Sequence, residues 1–570
     1  MKLEKTLSND SFIPGTINIY STEAKDSYSD NENDPNSNQI TASGLKTHDN
    51  IILVPQPTDS PNDPLNWSFG KKIWNLIILL VITGFTAGVS NDAGSTEDSL
   101  NELYGISYAS MNTGAGVLFI AIGTGTFLMA PFANLYGHKI SYIICIFVGL
   151  MGSLYFALQK NTADAIINQF FVGWSEACAE AHVQQSISAL FFQHQLGSTL
   201  TLYMLATSVG TYLGPLIAGF IVESMGFRWV GWLGVFIATG LLITIIFGLH
   251  ETRFDRHKFS GVINSVRSHD HLDDADEKKF IKKLLGNKNE KIDQVINVQH
   301  SSLNSDTGYN ELKKSYLQQI KPITKNPNLK GTGFKQYLTQ LKLMTKVFLF
   351  IPVIYGGLLW GMQDSLLTFY LTVEDDQYYN APFNYSTNRV AMMNMPCVIG
   401  AIIGCMYAGP LSDWFTVWMA KRNNGVMEAE FRLYFLFVPG ILAPLGFILF
   451  AVSTDKLWNW RVTYFALGLI GYGFACLGDV GLAYLMDAYP EMIIEMMCGV
   501  SIINNYMSCV FTFTCSLWLD KMSNTNIFII LGILEFLLMM CALPLIIHGK
   551  RIRKYTKTWY VDYINVRDGF

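Results

Sequence analysis

Residues 360–371 read "WGMQDSLLTFYL", and they set a carboxylate, Asp364, inside an apolar run that begins near Val347 and ends near Val373. A run of that length crosses a bilayer as a helix, since about 20 mostly apolar residues cover the hydrocarbon layer. Working outward, eleven further runs of this kind lie along the 570 residues. The twelve together fall at 72–90, 108–130, 140–159, 163–192, 197–222, 227–249, 347–371, 389–409, 433–452, 461–485, 492–518 and 526–548. The composition agrees, with 50% hydrophobic and only 15% charged residues, against about a quarter charged in soluble domains. An all-α membrane protein with twelve spans is expected.

The spans fall into two sets of six. Residues 1–70 read as a disordered polar tail without a basic, then apolar, leader, so no cleaved signal peptide is expected. Residues 71–252 hold the first six spans and 346–549 the last six. Between them, 253–345 include "HDHLDDADEKKFIKKLLGNKNEK" and read as a solvated, disordered linker. At its end "FKQYLTQLKLM" has the pattern of an amphipathic surface helix. Residues 550–570 form a basic tail. The nine cysteines have neither disulfide nor metal-ligand spacing.

Charge orients the chain. Lys71, Lys72, His138, Lys139, Lys421, Arg422 and the tail residues Lys550, Arg551, Arg553, Lys554 and Lys557 share one side, cytoplasmic by the positive-inside rule. Both termini then lie in the cytoplasm. The opposite loops, 91–107 and 373–388, contain several acids and no Lys or Arg, so the outer mouth concentrates cations. "NYS" at Asn384 is a glycosylation sequon on that outer side, whereas "NWS" at Asn66 faces inward.

Each half repeats a motif after its second span: "APFANLYGHK" (130–139) and "GPLSDWF" (409–415). Both resemble the cytoplasmic signature of the major facilitator superfamily. The second copy keeps Gly409, Leu411 and Asp413, while the first has Ala130, Asn134 and His138 in place of Gly, acid and base. "GTYLGPLIAG" (210–219), with Gly210, Gly214, Pro215 and Gly219, is similar to the fifth-span motif of fungal drug:proton antiporters. There, small residues allow close helix approach. "NDPLNWS", "GFRWVGW", "KRNNGVMEAEFRLY" and "YLMDAYP" resemble the twelve-span fungal branch. "AIINQFFVGWSEACAEA", "FFQHQLGS", "FTFTCS" and residues 90–119 resemble its Hol-type transporters of polyamines and histidinol. The resemblance implies a major facilitator fold of two six-helix bundles, with spans one, four, seven and ten lining a central cavity.

The acids within the spans fall mainly on those four: Asp92, Glu176 and Glu180, Asp364, and Asp479. A charge at a helix centre costs about 2.5–3.5 kcal/mol on insertion scales, so these acids should face water, a proton or a cation. No Lys or Arg accompanies them, and the Arg that the family usually places in span four is Gln169. Glu176 and Glu180 are four residues apart, about 6 Å along one helix face. That spacing suits two ammonium groups joined by a short alkyl chain. An ammonium about 4 Å from a carboxylate gains about 4 kcal/mol at an effective dielectric near 20, before desolvation. Trp360, one turn before Asp364, and Trp174 supply aromatic walls with cation–π attraction of roughly 0.5–2 kcal/mol.

These six residues, Glu176, Asp364, Asp479, Glu180, Trp360 and Asp92, are the candidate substrate site. Glu176, Asp364 and Asp479 are the candidate proton carriers. Helix-end capping competes for Asp92 and packing for Trp174. Glu495 and Glu535 read as structural or surface residues, and Asp487 as structural.

The function expected is import of polyamines (spermidine, putrescine, spermine) and related cations across the plasma membrane, coupled to protons. Export by a drug:proton antiporter is the nearest alternative, and a non-transporting nutrient sensor the next. "CLGD" (476–479) resembles the Gly-x-Gly-Asp motif of intramembrane aspartyl proteases, but Cys476 replaces the first Gly and Gln363 the Tyr expected before the partner acid. No enzyme activity, metal, cofactor or nucleic-acid partner is expected. The chain reads as a monomer, whose partners are its cation, protons and lipid.

Overall fold

The computed structural model describes residues 13–18, 39–40, 46–48, 51–254, 256, 313–326 and 329–568. The first half contains α1 (Phe69–Asn91), α2 (Tyr108–Tyr136), α3 (His138–Leu158), α4, α5 (Leu196–Met225) and α6 (Arg228–Gly248). Helix α4 runs through Thr162–Cys178, a π turn at Ala179–Val183 and Gln184–Leu190. The second half contains α7 (Ile351–Tyr378), α8, α9 (Phe437–Asp455), α10 (Trp460–Ala488), α11 (Ile493–Leu519) and α12 (Asn524–Met540). Helix α8 comprises Asn394–Met406, a π turn at Tyr407–Leu411 and Ser412–Arg422. A last helix, α13 (Ala542–Asp568), follows.

Caps mark the helix ends. Ser107 accepts from the Ser110 amide to open α2, Asn161 accepts from Asp164 to open α4, and Gly137 at φ 104° turns the chain between α2 and α3. Within the first half α2 packs on α4, α1 on α5, and α3 on α4 and α6; within the second, α7 packs on α11, α8 on α10, and α9 on α10 and α12. The halves meet where α2 lies on α11 and where α5 lies on α8 and α10.

Ten segments among the described residues are long and apolar enough to span a membrane, and eleven if the pair Phe334–Leu349 and Ile351–Tyr378, bent by 83°, is one span. The expectation was twelve. The difference is α4, whose Asp164, Asn168, Gln169, Glu176, Glu180 and His182 make it too polar to count; a π turn alone does not exclude a span, since α8 has one as well. The helix over "FKQYLTQLKLM" is present at Phe334–Met344, with Phe334 and Leu338 exposed and Leu343 and Met344 buried.

Both chain ends depart from free tails where they are described. Strand β1 (Thr16–Asn18) pairs antiparallel with Val426–Glu428, between α8 and α9. Residues 53–68 fold against the first half, with Asp63 paired to Arg256 at 3.2 Å. In α13, Arg553 is fully buried, its guanidinium pairing with Glu428 at 2.8 Å and Glu430 at 2.5 Å and donating to the Pro14 carbonyl. A buried guanidinium needs such a ring of acceptors, so Arg553 is not offered to lipid headgroups. Lys550, more than half exposed, pairs with Glu428 at 2.5 Å.

The linker stretch "HDHLDDADEKKFIKKLLGNKNEK" lies outside the described residues. Its continuation crosses the first motif copy: Thr324 and Asn326 amides donate to the Tyr136 and Leu135 carbonyls at 2.9 and 2.8 Å. Lys139, buried, donates to the carbonyls of Ile246, Leu249 and Ile320 at 2.9, 2.8 and 2.7 Å, which satisfies the open end of α6.

Candidate functional site

Between the halves lies a cavity of about 860 Å³ that reaches the acidic loops 91–107 and 373–388. Its lining is decided by helix register. Glu176 and Glu180 come from α4, Trp360 and Asp364 from α7, Phe474 from α10 and Asn505 from α11. The π turn that starts at Ala179 inserts a wider turn directly at Glu180, and such turns often accompany functional positions. Both glutamates line the cavity, on the one helix face that their spacing gives them. The three deep carboxylates are close enough to act on one another electrostatically. Ser90 lies beside Glu176 and Asn504 beside Asp364. Gln169 also lines the wall.

Nearer the mouth the lining includes Glu97, Asp98, Glu102, Asp375, Asp376 and Asp520. With Glu176, Glu180 and Asp364 that makes nine carboxylates, and among the described residues no Lys, Arg or His lines this cavity. The acidic loops were visible in the sequence, but nothing in it showed that Asp520 would join them.

Three expected residues fall elsewhere. Asp92 follows the last residue of α1, and its neighbours Asn91 and Ala93 line the cavity while it does not. Trp174 packs with Phe170 at a ring distance of 5.8 Å, against Gly125 of α2, away from the cavity. Asp479 is fully buried below the floor, where the Thr201 hydroxyl of α5 donates to it at 2.5 Å. The floor itself is Trp360 against Phe474, 5.0 Å between rings. A Cβ at Gly478 would stand 2.1 Å from Trp360 and 2.4 Å from Met204, so side chains pack tightly between the cavity and Asp479.

The end carrying the basic loops is tied shut across the halves. Asp413 accepts from the Ser198 amide at 2.6 Å and the Ser198 hydroxyl at 2.7 Å. On its own side it pairs with buried Arg432 at 2.8 Å, which also pairs with Asp487. Gln193 reaches Asp487 at 3.3 Å from the first half. Gly197 and Gly409 make this approach possible, because a Cβ on either would lie within 2.0 Å of Asp413 or Thr201. The first motif copy joins through its changed residue: Asn134 donates to Glu495 at 3.3 Å, and Arg567 pairs with Glu495 at 3.3 Å. Sequence reading passed over Arg432 as one residue of a motif. Its partners come from two separate stretches, Ser412 and Asp413 on α8 and Asp487 on α10, so spacing carries no trace of them.

The fifth-span motif acts through backbone approach. Added Cβ atoms would meet the Gly84 carbonyl at 2.3 Å from Gly210, the Gly88 carbonyl at 2.5 Å from Gly214, and Ala391 at 2.8 Å from Gly219. Pro215 is buried within α5, and its carbonyl accepts from Ser95 at 3.0 Å. Asn384 is exposed at the acidic-loop end.

Residues 76–510 match the Major Facilitator Superfamily. Protein HOL1 of Saccharomyces cerevisiae is 48% identical over 583 aligned positions, covering 98% of each chain. An uncharacterised MFS-type transporter of Schizosaccharomyces pombe is 43% identical, covering 98% of this chain and 95% of its own. The MFS proton:xylose symporter XylE shares the fold, with a TM-score of 0.55 at 12% identity, covering 84% of this chain and 96% of the symporter. With cavity, gate and sequence in agreement, this chain belongs to the Major Facilitator Superfamily and is a membrane transporter, not an enzyme.

Proposed function

We propose that this transporter imports polyamines such as spermidine, and related organic cations, across the plasma membrane by proton-coupled alternating access. The observation that carries the reading is the cavity whose lining, among the described residues, has nine carboxylates and no basic residue. A polycation exchanges its water for several carboxylates at once, while a monocation meets one. Glu176, Glu180 and Asp364 take the ammonium groups, and Trp360 and Phe474 cover the methylenes. Glu176 and Asp364 are the carboxylates placed to exchange a proton for the cation. Asp479, bonded to Thr201 across the halves, belongs to the step that opens the opposite end. The basic loops face the cytoplasm in this reading, so the structure is the outward-facing state, closed below by Asp413, Arg432 and Asp487.

The test is the initial rate of labelled spermidine uptake at two external pH values, in transporter-deficient cells expressing the chain against empty-vector cells. Uptake above control that rises at acid pH supports the reading. No uptake, with the protein at the cell surface, turns it towards export, for which inside-out vesicles are the assay.

The mouth has its own pH dependence. Burial, then the charges of Asp375 and Asp98, hold the Glu97 carboxyl up at about 8. Glu97 is therefore neutral at pH 7 and adds its negative charge only as external pH rises through that value. Wild type and Glu97→Gln are expected to share one spermidine KM below about pH 7, and wild type to show a KM lower by roughly two- to threefold above about pH 9. Equal KM values across the whole range would place Glu97 outside the cation's approach.

A further inference from the structure

Gln363 and Glu535 lie outside the cavity, both fully buried, Gln363 on α7 and Glu535 on α12. The Gln363 amide nitrogen donates to Glu535 Oε1. That leaves Gln363 Oε1 and Glu535 Oε2, two buried oxygens on two facing groups, without a hydrogen-bond partner among the described residues. Around them α12 is apolar: Leu531, Gly532 and Met539, one turn to either side of Glu535, are buried. α10, also packed on α7, carries Arg461 in its first turn with Asp479 and Asp487, and α13, which contacts α12, carries basic residues from His548 onward; α7, α12, α9 and α11 themselves contain no Lys, Arg or His. The other titratable acids on these four helices are Asp364, the run Glu374 to Asp376, Asp455 and Glu495, all of the same sign. A carboxylate at 535 would be a lone buried charge.

One proton removes both difficulties. Placed on Oε2, it turns that atom into a donor to Gln363 Oε1 and closes a reciprocal acid–amide pair with the bond already present. The pair also bears on the cavity. Consecutive helix residues point about 100° apart, so α7 shows Asp364 to the cavity while Gln363 faces α12. Turning α7 about its axis would break the pair and swing Asp364 off the wall.

We propose that Glu535 is a carboxylic acid that keeps its proton through the transport cycle and, by pairing with Gln363, sets the rotation of α7 that aims Asp364 into the cavity. It is a positioning residue. The inference shares Asp364 with the proposed function, but its test needs no substrate.

Full-length protein in lipid nanodiscs is compared with Glu535→Gln by infrared spectroscopy. The wild type should show a protonated-carboxyl C=O band that stays constant from about pH 5 to about pH 7, where an ordinary glutamate is ionised, and is missing from the variant. For the aim of α7, Asp364→Cys is built on a Cys541→Ser background, which removes the one exposed native thiol, and labelled with a charged thiosulfonate. Adding Glu535→Ala or Gln363→Ala should slow labelling by about tenfold. Adding Glu535→Gln, whose amide can donate as the acid does, should restore the rate. A missing or titrating band overturns the protonated state. Labelling unchanged in both alanine variants, with each protein folded by size exclusion, overturns the positioning role.

Discussion

Asp364→Asn is expected to raise the spermidine KM by at least about thirtyfold with the protein still at the cell surface, because losing one member of a buried charge pair costs about 2–5 kcal/mol. Adding Glu176→Gln should remove measurable uptake. Both side chains line the same cavity, and among the described residues that lining holds no Lys, Arg or His. The amides keep shape and hydrogen-bonding capacity, so folding is retained while the charge is lost. Uptake that survives both substitutions would mean the cation binds elsewhere. Trp174→Ala, by contrast, removes a ring that packs on Phe170 outside the cavity, so any loss there belongs to stability.

The second large effect concerns the closed end. Arg432 is 1% exposed and holds Asp413 and Asp487 together, with Ser412 accepting from it at 3.2 Å. Arg432→Met leaves two buried carboxylates without their cation, and breaking a buried pair in this way costs about 3–5 kcal/mol. Most of the folded, monodisperse population should be lost in a thermal ramp read by size exclusion. Replacing all three charges at once, Arg432→Met with Asp413→Asn and Asp487→Asn, should recover most of that stability, because no uncompensated charge remains. Arg432→Met unfolding at the wild-type temperature would show that the cluster does not hold the structure together.

The two effects separate sites that a linear reading puts in one class. Asp364, Asp413, Asp479 and Asp487 are all aspartates in or beside apolar helices of the second half. Asp364 meets open cavity; Asp413 and Asp487 share a guanidinium; Asp479 accepts from Thr201 beneath a floor of packed rings. The same residue type therefore stands against open cavity, a guanidinium or a hydroxyl, according to which helix packs opposite it.

The membrane class, the two halves and the repeated motif were legible because they depend on local quantities: run length, charge sparsity and short spacings within one helix. Glu176 and Glu180 share a face for the same reason, since helix geometry alone relates residues four apart. The sequence also showed acidic loops at one end and small residues at 210, 214 and 219, whose close contacts with α1 and Ala391 follow from missing side-chain volume. Tertiary structure alone decided which acids face the cavity. Asp92 and Asp479 have the composition of site residues, yet one sits just past a helix end and the other is sealed behind Trp360 and Phe474. It alone brought Glu535 to Gln363, Asn134 to Glu495 and Arg553 to the N-terminal strand, across 172, 361 and more than 500 residues of chain. Periodicity tells which face of a helix is apolar, but when every helix lies among others in a bilayer that face no longer points to one partner. The cost of an unpaired buried charge then selects the arrangement, and only the packed helices show how it was met.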